Sequence, residues 1–227
     1  MLTPGVRCWL CQLPLKIAAH GICSVCCRTL LLPAALCPRC GLPAALPSIP
    51  CGRCQQKPPP WRQMIAVTDY RPPLSTLVQR LKYQGMWQLA PALARLMLLR
   101  YLQARRERGL SAVHRVVAVP LHHRRQWRRG FNQTQLLARP LARWLSCRTS
   151  AGLLRRVKNT PAQQTLTAGA RRRNLRNAFV CTERLDGETI LLLDDVITTG
   201  STVAEISRLL LDAGAASVQV ICLCRTL

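Results

Sequence analysis

The sequence predicts an α/β protein: a mainly parallel sheet flanked by helices, with a small cysteine-rich module ahead of it. Three observations carry that expectation. Nine of the chain's 13 cysteines crowd into its first 54 residues. From residue 64 onward, strand-like and helix-like stretches alternate. Of the strand-like stretches, 115–119 (RVVAV) reads as a buried strand and 189–193 (TILLL) as an apolar run of the kind buried in a parallel sheet. At 227 residues and 49% hydrophobic, the chain has room for one well-cored domain and an accessory module, and with only 4% aromatics the core must be largely aliphatic.

Residues 1–56 are rich in Cys, Pro and Gly, carry no acid, and follow neither a strand nor a helix period. Lys57 and Pro58 to Pro60 form a stiff, extended linker, and residues 61–227 make the second domain. There, residues 64–70 read as a strand, 74–82 as a short helix, and 89–106 as a longer helix with Leu93, Leu96, Met97 and Leu99 on its apolar side. A strand at 115–119 is stopped by Pro120, and Asn132 caps a helix running to about Trp144. Residues 153–157 and 179–180 are short strands, separated by a polar stretch with little periodicity. The strand at 189–193, a helix over 202–212 ended by Gly214, and a last strand at 217–223 complete the domain.

The segment 189–202, TILLLDDVITTGST, concentrates the chemistry. Its aliphatic strand delivers Asp194 and Asp195 to the carboxyl edge of the sheet, where ligands of α/β folds bind. Thr198, Thr199, Gly200, Ser201 and Thr202 then lead straight into a helix. Gly200 permits a tight turn and a close backbone approach, and the hydroxyls join the free amides of the helix start to make an anion site. The carboxylates can accept hydrogen bonds from ribose hydroxyls while the loop holds a phosphate. A plain helix cap beside two solvated charges is the bland alternative, but the aliphatic lead, Asp-Asp and Thr-Thr-Gly-Ser-Thr at fixed offsets resemble the signature of the type I phosphoribosyltransferases. That resemblance implies binding of 5-phosphoribosyl-1-diphosphate, with magnesium accompanying the diphosphate.

Cys8-x-x-Cys11, Cys23-x-x-Cys26, Cys37-x-x-Cys40 and Cys51-x-x-Cys54 supply eight thiols, enough for two four-thiolate zinc sites. Spacers of 10 or 11 residues limit each ribbon to a tight hairpin. Pairing the knuckles in sequence gives two ribbons in series, and an interleaved pairing is also open. Cys27 adjoins Cys26, but only Cys26 has the right offset from Cys23. A thioredoxin-like role needs one reactive pair on a βα turn, and no regularly spaced His or carboxylate accompanies the thiols, so the expected zinc is structural. Cys147, Cys181, Cys222 and Cys224 read as core residues.

The charge is extreme, with 33 Lys and Arg against 9 Asp and Glu, a formal +24. Between Arg71 and Thr182 the only acid is Glu107, while Arg124, Arg125, Arg128, Arg129 and Arg171, Arg172, Arg173 come in clusters. Such a balance attracts polyanions, so DNA, single- or double-stranded, is an expected partner. No apolar run is long enough to insert in a membrane, and the start of the chain lacks the pattern of an export signal, which points to a cytoplasmic protein.

Together, a double zinc ribbon and a phosphoribosyltransferase-like domain resemble the ComF/GntX family of DNA-uptake and DNA-utilisation proteins. Leu81-Lys82-Tyr83-Gln84-Gly85 resembles that family's LKY-x-G segment. Val119-Pro120-Leu121-His122 and Arg129-Gly130-Phe131-Asn132-Gln133 are similar to its VPLH and RGFNQ segments. Thr160, Gln163 or Gln164, Leu166, Arg172 or Arg173, Asn174 and Phe179 follow its spaced T, Q, L, R, N and F. The resemblance implies a type I phosphoribosyltransferase-like core sheet from about residue 113 and a role in processing or using external DNA, in company with DNA-uptake machinery. It also implies a pyrophosphate-binding turn at 120–122 and a closing loop at 158–176, whose arginines can meet either pyrophosphate or a DNA backbone. His122 and His123 read as solvated donors. Three functions fit: a ligand site within a DNA-utilisation protein, a phosphoribosyltransferase of unknown acceptor, or a non-catalytic sensor of the diphosphate. No aromatic follows the last strand, which weakens an ordinary nucleotide-salvage role.

Overall fold

The computed structural model describes residues 6–31, 35–121, 127, 130–158 and 177–226. Five strands form one parallel sheet in the order β1-β7-β6-β2-β3. They are β1 (Gln63–Asp69), β2 (Arg115–Ala118), β3 (Arg148–Thr149), β6 (Thr189–Ile197) and β7 (Ser217–Arg225). A separate antiparallel pair joins β4 (Leu154–Arg156) to β5 (Phe179–Cys181).

The long aliphatic strands lie where burial is greatest. β6 sits between β7 and β2, and its alternate side chains feed two cores. Leu191 and Leu193 point to one face, Ile190 and Leu192 to the other. The first core lies beneath α3 (Leu74–Tyr83), α4 (Ala90–Arg108) and α5 (Gln133–Trp144). The second is closed by α6 (Ser201–Asp212), with Val203, Ile206 and Leu210 turned inward and Trp61 packed beside them. Asn132 caps α5 as its side chain suggests, accepting a hydrogen bond from the Thr134 amide at 3.1 Å.

The sheet begins earlier than residue 113. β1 pairs along its length with β7 (Met64 beside Val220, Ile65 beside Ile221) because Met64 to Val67 are as buried as the strands that follow. Cys222 and Cys224 lie in the core, whereas Cys147 and Cys181 are only half-buried at its margins.

The cysteine-rich segment carries two short helices that its sequence pattern did not announce, α1 (Ser24–Leu30) and α2 (Gly52–Gln56), each starting directly after a knuckle cysteine. It does not stand apart from the sheet domain: Cys8, Ile22 and Cys27 belong to the same buried cluster as α4. No described helix is long and apolar enough to cross a membrane.

Candidate functional site

At the carboxyl edge of the sheet lies an open cleft of about 360 Å³. Its floor is the end of β6 and the turn into α6, with Asp194, Asp195 and Thr198 to Thr202 all in the lining. This is the placement the sequence motif demands, since a parallel strand and the helix that follows it splay apart at this edge. Gly200, at φ 77°, makes the left-handed turn that starts α6. Thr199 and Ser201 share a hydroxyl–hydroxyl bond of 2.8 Å, and the Ser201 amide donates to Thr199 Oγ1 at 3.3 Å. The first-turn amides of α6 thus lie beside small hydroxyls, a set of donors able to meet an anion.

The two carboxyls differ in environment. Asp195 is buried and held from two sides: the Lys82 ammonium meets Oδ1 at 2.9 Å, and Gln133 Nε2 donates to Oδ2 at 2.8 Å. Asp194 accepts from the Asp195 amide at 2.9 Å. Burial, reinforced by the neighbouring Asp195 charge, pushes the Asp194 carboxyl up to about 8 against the pull of Lys82. Burial works against the Lys82 ammonium too, but its pairing with Asp195 outweighs this and raises it. The cleft therefore presents an ion pair and, beside it, a second carboxyl whose ionisation is resisted by burial and by the neighbouring carboxylate.

Lys82 and Gln133 stand in the LKY-x-G and RGFNQ segments, yet nothing in their local sequence marks either as a site residue. Their partner lies 113 and 62 residues away along the chain, so only their occurrence in those segments could have flagged them. Tyr70, Tyr83 and Arg156 also line the cleft, as do Pro120 and Leu121 of the expected pyrophosphate turn. Arg124, Arg125, Arg128, Arg129, Arg171, Arg172 and Arg173, with His122 and His123, lie outside the described residues.

The cysteines form two tetrads, Cys8–Cys11–Cys23–Cys26 and Cys37–Cys40–Cys51–Cys54, each with its sulfurs within 4.8 Å of one another. Pairing is therefore sequential. The Cys11–Cys23 and Cys40–Cys51 sulfurs are 3.8 Å apart, close to the edge of a tetrahedron with zinc–sulfur bonds of about 2.3 Å. In both tetrads one thiol is primed to ionise. Burial acts to raise Cys8, but the amides of Cys11, Cys23 and Leu10 outweigh it and bring the thiol down to about 6. Cys37 is treated alike by the amides of Cys51, Cys40 and Arg39 and falls to about 7. Each donor set fits a four-thiolate metal. Cys27 turns away from the tetrad, donating to the Ile22 carbonyl and receiving Arg95.

A parallel sheet with two acidic residues and a hydroxyl-rich turn into a helix at its carboxyl edge is the arrangement of the type I phosphoribosyltransferase fold. The family model described as "Phosphoribosyl transferase domain" matches residues 135–227. Over all 227 residues, and all of the relative, the chain is 55% identical to "DNA utilization protein YhgH" of Salmonella typhimurium. It is 40% identical to "Competence protein F" of Haemophilus influenzae over 94% of both chains. The chain belongs to the ComF/GntX family. Among solved structures, a purine phosphoribosyltransferase from Pyrococcus horikoshii is similar at 13% identity and a TM-score of 0.38, covering 62% of this chain and 75% of the other.

Proposed function

We propose that this protein serves DNA uptake or utilisation, as the names of its relatives suggest, and that its cleft binds 5-phosphoribosyl-1-diphosphate. The observation that carries the ligand reading is one cleft holding both halves of the recognition: Asp194 and Asp195 for the ribose hydroxyls, and the Thr198 to Thr202 turn with its helix amides for the 5-phosphate. Magnesium accompanies the diphosphate and offsets its charge. Zinc is the proposed occupant of both tetrads, where four thiolates of matching geometry suit its tetrahedral, redox-inert chemistry. Residues 1–56 act as the metal-bearing module, 57–60 as its connection, and 61–227 as the ligand-binding domain. The protein works in the cytoplasm, where the diphosphate is found and thiols stay reduced.

Calorimetry with magnesium and the diphosphate tests the reading directly. Wild type binds and Asp194→Ala/Asp195→Ala does not; equal heats from both would reject it. The excess of arginine supports nucleic acid as a partner. A gel-shift titration should show binding that weakens steeply with salt, and no shift at low salt would remove DNA from the proposal. Turnover is a second reading, favoured by the openness of the cleft beside Asp194, where an acceptor can enter. It requires release of pyrophosphate when acceptors are supplied, which a coupled assay detects. A sensor would bind without release.

A further inference from the structure

The second tetrad is wired to the phosphate turn. Three consecutive carbonyls of its knuckle are each held by the sheet domain. The Met64 amide donates to Pro38 at 2.9 Å, Trp61 Nε1 to Arg39 at 2.6 Å, and Arg225 Nε to Cys40 at 3.1 Å. Two of those donors then reach the turn itself. Trp61, only 5% exposed, lays its ring against Gly200, with Cη2 3.3 Å from where a β-carbon would stand. Arg225 Nη1 donates to the carbonyls of Ile197 at 3.0 Å and Thr226 at 3.1 Å, fixing the residue that enters the turn. The Arg39 guanidinium closes the circuit by donating to the Pro59 carbonyl at 2.9 Å, just before Trp61.

The first tetrad leans elsewhere. Its neighbours Ile22 and Cys27 receive Arg95 of α4, at 3.3 Å and 3.4 Å, and among the described residues α4 contributes nothing to the lining of the cleft. The two tetrads are near copies, and among the described residues hydrogen bonds tie the second, not the first, to residues that touch the turn.

We infer that Trp61 is a positioning residue through which the second cysteine tetrad, Cys37–Cys40–Cys51–Cys54, sets the phosphate turn, so that ligand affinity depends on metal in that tetrad and not in the first. A four-thiolate metal fixes the Cys37–Cys40 turn and with it the carbonyls of Arg39 and Cys40. These fix the Trp61 indole and Arg225, which in turn hold Gly200 and Ile197. A phosphate cradle held in its bound shape spares the ligand the ordering cost. Without the metal the knuckle loosens and the cradle must be ordered by the ligand. This rests on the diphosphate reading for its affinity arm, but the coupling itself is visible without any ligand.

The test compares full-length, metal-loaded wild type with Trp61→Phe, Cys40→Ser and Arg95→Met. Trp61→Phe keeps an aromatic ring in the core but removes both ends of the link, the donor to Arg39 and the Cη2 and Cζ2 atoms that touch Gly200, while leaving both tetrads intact. Hydrogen exchange is read on the peptide covering 197–203, and affinity for the magnesium diphosphate by calorimetry. Trp61→Phe and Cys40→Ser should speed exchange there and weaken binding by roughly tenfold, about 1.4 kcal/mol. Arg95→Met, which unties the first knuckle from α4, should leave both unchanged. Metal content and circular dichroism of Trp61→Phe should match wild type. Unchanged exchange in Trp61→Phe would overturn the inference even if Cys40→Ser misfolds, as would an equal effect from Arg95→Met. Accelerated exchange in a protein whose wild type binds no diphosphate would uphold the coupling and reject the ligand.

Discussion

The two cysteine tetrads are close to identical in themselves and different in what they touch. Each has a buried leading cysteine that receives a backbone amide from the start of the second knuckle, Cys23 onto Cys8 at 3.3 Å and Cys51 onto Cys37 at 3.2 Å. Each brings its own sulfurs together and opens a short helix. Yet the first shares a core with α4, and the second hands three carbonyls to the sheet domain, two of them to residues that reach the turn. A metal knuckle is a rigid corner, and its contribution is decided by what is bolted to it. Duplicated motifs should not be assigned duplicated roles on local geometry alone.

The broadest way to break the comparison is to strip both metals. Structural zinc contributes about 10–16 kcal/mol to the folding of small finger peptides. A strong chelator should therefore lower the melting temperature sharply and open residues 6–56 to limited proteolysis. An unchanged melt would mean that the tetrads hold no metal.

A matched pair of glycine substitutions sharpens the contrast. Gly21, beside the first tetrad, has φ 62°, and a β-carbon there would stand 2.5 Å from that of Ala92 on α4. Gly21→Ala combines left-handed strain with overpacking, a loss of about 3 kcal/mol. It should appear in denaturant melts while leaving diphosphate affinity unaltered. Gly200→Ala meets the softer edge of Trp61 at 3.3 Å and should cost about 1–2 kcal/mol of stability from backbone strain. Its larger signature is weaker binding, because the turn itself moves. Reversal of these two patterns would contradict the division of labour.

The remaining contrast is in pH. Asp194 is raised to about 8 from an ordinary carboxyl value near 3.8, so the folded state holds a proton that the unfolded chain releases. Its contribution to stability is complete below about pH 4 and is lost as pH rises through 8. Removing Asp194 with Asp194→Asn should flatten that decline in urea melts. Diphosphate affinity should move the opposite way, improving as the carboxyl ionises to accept ribose hydroxyls.

Much of this was legible in the chain because the relevant partners are adjacent in sequence. The Cys-x-x-Cys pairs and the Asp194 to Thr202 turn are local motifs, and the aliphatic runs of β2 and β6 announce a sheet buried on both faces. What could not be read depends on long closures. Lys82 and Gln133 meet Asp195 only once three elements have packed. β3, two residues long, has no pattern to detect. The arginine count suggested a basic exterior, yet Arg100, Arg115 and Arg225 are buried. They bond in turn to the Ala66 carbonyl, to Glu183 and Glu188, and to the carbonyls of Cys40 and Ile197, with Arg100 Nη1 left without a hydrogen-bond partner among the described residues. Composition counts charges without saying which have been taken inside.

The ion pair between Lys82 and Asp195 carries one more consequence. The stretch that matches the phosphoribosyl transferase domain starts at residue 135, whereas the ammonium that faces its central carboxylate is supplied from residue 82. A fragment cut at the edge of that similarity would keep the recognisable loop and lose the countercharge, the edge strand β1 and the Trp61 buttress. Holding the proposed ligand site together takes nearly all of this protein, a longer stretch than the match to the domain model marks out.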